Sequence, residues 1–297
     1  MGKLFGFGKY QYELVASWAK FSQEGVFSDI AIDSQGKAYV AFRDAPYPEV
    51  KSGSILVFDS GGNFLTSWGE GLFTTPHGIW ISDEDEIYFA DCNDHTVRKY
   101  STSGELLMTI GMKGQPGAPG VPFNRPCRAV VSKSGDIYIG DGYGQNRIHR
   151  LSPEGDIICS WGETGDGPGQ FQLPHHVTVD RNDRVYVMDR RNNRCQVFNT
   201  EGKYLDEWSN IFTPQDAVID GEGVMHIAEG GGEGGKKYPP GILLMTLSGE
   251  VIGRWGERGM EPGQFSGSPH GIWIDGQGDL YVAQVGVHNS LNKYART

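Results

Sequence analysis

Residues 77–91 run HGIWISDEDEIYFAD, and residues 270–284 run HGIWIDGQGDLYVAQ. In both, a histidine and a glycine open an apolar run, a polar turn follows, and a second apolar run centres on a tyrosine. The pattern recurs as FSDIAIDSQGKAYVAF from residue 27, CRAVVSKSGDIYIGD from 127, HHVTVDRNDRVYVMD from 175 and QDAVIDGEGVMHIAE from 215. Each copy but the last is followed by a second hairpin pattern, as in SILVFDSGGNFLTSWG (54–69) and RIHRLSPEGDIICSWG (147–162). The repeating unit is therefore four short strands joined by tight turns. Runs such as IYFA are apolar on both faces, as strands stacked blade against blade require.

Six such units predict an all-β, six-bladed β-propeller filling residues 1–297 as a single domain. The last unit is followed only by LNKYART and lacks its fourth strand. The N-terminal YELVASW (12–18) has the missing pattern, with Trp18 in the place of Trp68, Trp161, Trp208 and Trp255. Its addition to the last blade is expected to close the ring and remove free strand edges.

Composition agrees. Glycine is 44 of 297 residues, yet aromatics reach 11% and apolar residues 38%, which fits many turns between packed strands rather than disorder. A net charge of −11 argues against nucleic acid or an anionic membrane as partner, while leaving a small carboxylate-bearing substrate or a peptide C-terminus open. Cys92, Cys127, Cys159 and Cys195 show neither a CxxC metal pattern nor a disulfide framework. Lys3, Lys9 and Glu13 interrupt any apolar leader, and Gly6 stands where a myristoylation motif wants Ser or Thr. The expectation is a soluble, cytoplasmic protein, or a secreted one if a leader has been removed. The glycines of GGGEGGKK lack the strand–loop–helix setting of a phosphate loop.

The repeat supplies a ruler. Counting back eleven residues from Tyr88, Tyr186 and Tyr281 gives His77, His175 and His270; from Tyr39, Tyr138 and His226 it gives Ser28, Cys127 and Gln215. Histidine thus occupies alternate blades at the start of the innermost strand. Alternate members of a six-fold ring are related by turns of about 120°, so three imidazoles are expected to meet at the central channel as ligands of one metal ion. Three histidines with an open fourth position suit zinc first, and also iron, copper or nickel. The other histidines, His95, His149, His176, His226 and His288, fall outside this register and are expected to be structural; His176 should point away from His175.

The residues after each second strand return to the same mouth: Arg43, Asp91, Tyr143, Asp189, Arg190, Glu229 and Gln284. Arg43, Tyr143 and Arg190 make a plausible anion-binding and acid–base set. The acidic residues are expected to tie loops through backbone amides, and Arg191 and Arg194 to lie on a solvated loop face. The long loops 44–53, 113–123 and 230–241 are expected at this mouth too.

At this point the sequence resembles the NHL-repeat propellers and, among them, the peptidyl-α-hydroxyglycine α-amidating lyases. The resemblance rests on FRD at 42–44, PHGIW at 76–80, DGYGQNRIHRLSPEG at 141–155, GQFQLPHHVTVD at 169–180, DRRNNR at 189–194 and SPHGI at 268–272. It implies zinc on His77, His175 and His270, Tyr143 as base, and Arg43 and Arg190 at the site. It also implies cleavage of the N–C bond of an α-hydroxyglycine carbinolamide to an amide and glyoxylate. The sequence departs from the family's animal members: Gly144 follows Tyr143 with no cysteine pair nearby, and Gly271 and Ser268 replace an acidic residue and a methionine. The structural calcium of those relatives is therefore not expected here, nor is a monooxygenase domain. The competing readings are a metal enzyme that hydrates or hydrolyses another small carboxylate, and a non-enzymatic NHL scaffold.

Overall fold

A computed structural model describes residues 3–46, 49–118, 121–232, 238–286 and 290–297. Parts of the three long loops, and His288, lie outside the described residues. The chain is an all-β, six-bladed propeller, and among the described residues the only helices are two short 3-10 turns.

It divides into two compact units. The first, 73–214, carries three antiparallel four-stranded blades. The second blade of the chain is built from Pro76–Ile81, Glu86–Asp91, Thr96–Ser101 and Leu106–Gly111. The third comprises Arg128–Val131, Ile137–Asp141, Arg147–Leu151 and Ile157–Trp161. The fourth comprises Pro174–Val179, Val185–Asp189, Arg194–Phe198 and Tyr204–Trp208.

The other unit, 1–72 with 215–297, carries the first, fifth and sixth blades. The first runs Val26–Ile32, Ala38–Arg43, Gly53–Phe58 and Phe64–Trp68, and the fifth Pro214–Ile219, Val224–Glu229, Gly241–Thr246 and Val251–Trp255. The sixth takes Ser268–Ile274, Leu280–Val285 and Ser290–Arg296 from the C-terminal end of the chain. Tyr10–Val15 pairs with Ser290–Arg296, placing Tyr12 opposite Arg296 and Val15 opposite Lys293, as the ring-closing expectation requires.

Two details differ from expectation. Leu4–Phe7 adds a fifth strand outside Tyr10–Val15, so this blade's edge is extended rather than ended. The closing strand also stops at Val15, because Ser17 turns the chain with φ 52°. Trp18 therefore lies beyond the strand instead of ending it; it packs on Phe58 and Tyr281 and donates its indole N–H to the Ser60 carbonyl at 3.1 Å.

The tyrosine used as the ruler has a physical reason to recur. Asp180 begins the turn of the fourth blade; its Oδ1 accepts the amides of Asn182 and Arg184, and its Oδ2 accepts the Tyr186 hydroxyl at 2.9 Å. Asp33 and Tyr39, and Asp275 and Tyr281, repeat this arrangement, and His226 replaces tyrosine on Asp220. One carboxylate thus fixes both the turn and the second strand of its hairpin. The second strands Ala38–Arg43 and Val224–Glu229 are buried along their whole length, whereas the outer Phe64–Trp68 is mostly exposed.

Candidate metal centre and its tyrosine

The leading strand of a blade carries a β-bulge at the ruled position. The pairing register slips between Pro76 and Gly78, between Pro174 and His176, and between Pro269 and Gly271. In each case the bulged residue is the histidine. A bulge re-aims a side chain away from the alternation of its strand, which frees His175 to depart from the side taken by its neighbour. All three histidines are buried.

The segment ahead of each histidine is tethered. Asp91 accepts the amides of Thr74 and Thr75, Asp189 accepts that of Gln172, and the Gln284 side-chain oxygen accepts that of Gly267. Burial pushes the Asp91 carboxyl up to about 6, against the lowering effect of its amide bonds, and raises that of Asp189 likewise. Asp91 and Asp189 therefore serve the loops, as their position predicts, whereas Glu229 accepts the Arg254 guanidinium instead. Arg194 does not lie on a solvated face. It is buried, bonded through Nε to Asp189 at 2.9 Å and through Nη1 to Glu207 at 2.7 Å, because the buried carboxylate needs a cation beside it. Arg191 is exposed, as expected.

Each unit shows how its histidines are aimed. In the unit 73–214, His77 Nδ1 lies 2.8 Å from the Cys127 carbonyl, and in the other unit His270 Nδ1 lies 2.6 Å from the Ser28 carbonyl. Cys127 and Ser28 hold the ruled position of the following blade. A carbonyl can only accept, so Nδ1 carries the proton and Nε2 presents a lone pair, the tautomer of a metal ligand. Gly78 and Gly271 follow the two histidines because a Cβ there would collide with the Cys127 carbonyl or with Asp29. The side chain that Gly271 lacks would thus meet a carboxylate.

Within the unit 73–214, four of the six residues singled out from the sequence come together. The Tyr143 hydroxyl lies 3.2 Å from His77 Nε2 and 3.0 Å from His175 Nε2, and Arg190 Nη1 donates to it at 3.3 Å. The two imidazole rings are 4.9 Å apart between centroids. His77 Nε2 is an acceptor, so the Tyr143 hydroxyl can donate to it. An imidazole nitrogen presenting a lone pair in this position is of the type that binds a cation. His270, the third histidine of the set, is buried in the other unit. Arg43 ends the second strand of the first blade and is buried, in the other unit.

Of the remaining histidines, His149 bridges Ser160 at 2.7 Å and Asp141 at 3.3 Å, and His95 accepts the Arg125 amide. His226 sits on Asp220, and His176 is buried in the leading strand of the fourth blade. The four cysteines are free thiols. Sequence reasoning missed Arg125, whose guanidinium lies over the Tyr143 ring at 5.4 Å. It stands two residues before the ruled position, where the repeat gives no signal.

The NHL repeat profile matches residues 171–198, the first three strands of the fourth blade. The chain is thus a β-propeller bearing an NHL repeat. It is 38% identical to NHL repeat-containing protein 3 of Homo sapiens over 70% of this chain and 62% of that one. It is 27% identical to peptidyl-alpha-hydroxyglycine alpha-amidating lyase 1 of Drosophila melanogaster, over 82% of this chain and 50% of that one. The chain thus spans 62% and 50% of the lengths of these two relatives. Among solved structures, a streptogramin B lyase superposes over 99% of this chain and 98% of that one with a TM-score of 0.62 at 13% identity, a likeness of fold. No helix among the described residues is long and apolar enough to cross a membrane.

Proposed function

We propose that this protein is a metal-dependent lyase that cleaves an α-hydroxyglycine-type carbinolamide into an amide and glyoxylate. In this reading His77, His175 and His270 hold one transition-metal ion, zinc in the first instance. The observation that carries it is the Tyr143 hydroxyl, within hydrogen-bond reach of two ligand-type Nε2 atoms and of Arg190. The relationship to an amidating lyase supports the substrate class.

The metal would supply Lewis acidity toward the substrate's oxygens. Tyr143, as phenolate, would take the proton of the carbinol hydroxyl as the C–N bond breaks and hand it on to the departing amide nitrogen, while the hydroxyl carbon becomes the aldehyde carbon of glyoxylate. Arg190, donating to the Tyr143 oxygen, favours negative charge there. Because Arg190 is committed to Tyr143, we assign the substrate carboxylate to Arg43, for which a guanidinium offers paired N–H donors.

Purified protein should contain about one transition-metal ion per chain and release glyoxylate from α-hydroxyhippurate. His77→Ala, His175→Ala and His270→Ala should each lose metal and activity while keeping the melting temperature to within a few degrees. Full metal occupancy in the triple variant, measured by elemental analysis, rejects the metal site. Metal without glyoxylate release rejects the reaction.

A further inference from the structure

We infer that Arg125 is a positioning residue for Tyr143, the inner member of a brace that runs from the His77-bearing strand to the tyrosine ring. The inference rests on the role given to Tyr143 above, but the brace is visible without it. Thr75, two residues before His77, accepts the Asn93 side-chain amide at 2.9 Å. Asn93 Oδ1 accepts Arg125 Nε at 2.9 Å, and the Arg125 guanidinium covers the Tyr143 ring. Tyr143 returns to His77 through its hydroxyl, closing the circuit.

The backbone is committed to this arrangement. Arg125 has φ 67°, a left-handed conformation that a side chain adopts at a cost unless its surroundings impose it. Here they do: the Arg125 amide donates to His95 Nδ1 at 3.1 Å, and the neighbouring Asn124 amide donates to the Asp141 carboxylate. Asn124 also lies against Gly144, where a Cβ would collide with its carbonyl, so the residue after the tyrosine is seated on the same loop. Two residues of one loop thus fix Tyr143, one through the face of its ring and one through its following glycine. A cation over an aromatic face is attracted along the ring normal, so the guanidinium restricts ring tilt without occupying the hydroxyl's hydrogen-bonding directions.

The test separates this role from the reaction. Fluorotyrosine is incorporated and the resonance of position 143 is assigned with Tyr143→Phe. Arg125→Gln removes the cation and the Nε bond; it should shift and broaden that resonance, with metal content and melting temperature unchanged. On α-hydroxyhippurate it should lower kcat by about tenfold to a hundredfold, the cost of a slightly misplaced catalytic group, with KM within about twofold. If Arg125→Gln does not fold, Asn93→Ala, which cuts the brace one link earlier, must move the same resonance. An unmoved resonance in the folded variants overturns the inference, as does a raised KM with kcat intact, which would make Arg125 a substrate ligand. A wild-type protein that releases no glyoxylate defeats the lyase reading alone, because the resonance still reports on the brace.

Discussion

The two ends of one blade obey different rules. At the turn end, Asp33, Asp180 and Asp275 each hold the turn and the tyrosine six residues on, in nearly the same geometry. At the opposite end, the ruled position alternates: His77, His175 and His270 in even blades, Ser28, Cys127 and Gln215 in odd ones. A turn acceptor solves a problem each hairpin has alone, so each blade can supply its own, a carboxylate in four and Ser82 or Ser132 in the other two. In the proposed function the histidines act as a set, and the repeat is broken in a pattern that would serve the set. Regularity marks what folds each blade, and patterned departure marks what the blades do together.

The sharpest way to break this contrast is at the histidine end. Tyr143→Phe should lower kcat by about 10²–10⁴, the usual worth of a positioned general base, with metal and stability retained. Wild-type turnover in a steady-state glyoxylate assay would remove the tyrosine from the chemistry. At the turn end the effect should be smaller and of the other kind. Asp180→Ala strips two amides, a tyrosine hydroxyl and the Arg184 Nε of their acceptor, costing about 1–3 kcal/mol in urea unfolding. Glyoxylate release by the folded fraction should not change. A loss of activity at full folding would show that the two ends are coupled.

The smallest effect sharpens the comparison within the turn end. Burial lowers the His226 pKa below its ordinary 6.5, although its bond to Asp220 works the other way. The unfolded chain then binds the proton more readily, so stability is fully present above pH 6.5 and declines as the pH falls below it. The slope is at most about 1.4 kcal/mol per pH unit. His226→Tyr restores the residue found at 39, 186 and 281 and should flatten the acid side of the unfolding profile. An unchanged slope assigns the acid sensitivity to other groups.

The blades were legible because each carries its own instructions: an aspartate or serine, a glycine or aspartate three residues on, and a tyrosine or histidine three after that. The alternating histidines were legible because each bulged histidine keeps a fixed distance from that aromatic. Leu4–Phe7 was not, since LFGF is three apolar residues interrupted by one glycine and its pairing to Tyr10–Val15 depends on a chain reversal the repeat does not describe. Trp18 carried the right residue in the wrong register, because one positive φ at Ser17 ended the strand early. Arg125 was invisible for a different reason. Its importance comes from Asn93, His95 and Tyr143, which lie 18 to 32 residues away in the chain and outside any shared spacing. Arg194 looked like a loop arginine until its burial beside Asp189 was seen.

The bond from His77 Nδ1 to Cys127, and from His270 Nδ1 to Ser28, means that each of these repeats owns its histidine but borrows the aim of that histidine from its successor. A repeat grafted into another propeller would carry the imidazole and leave behind the carbonyl that sets its tautomer. The portable module is therefore not one blade. It is a blade together with the first residues of the next, and recombination at blade boundaries would cut through the part that sets the histidine's tautomer.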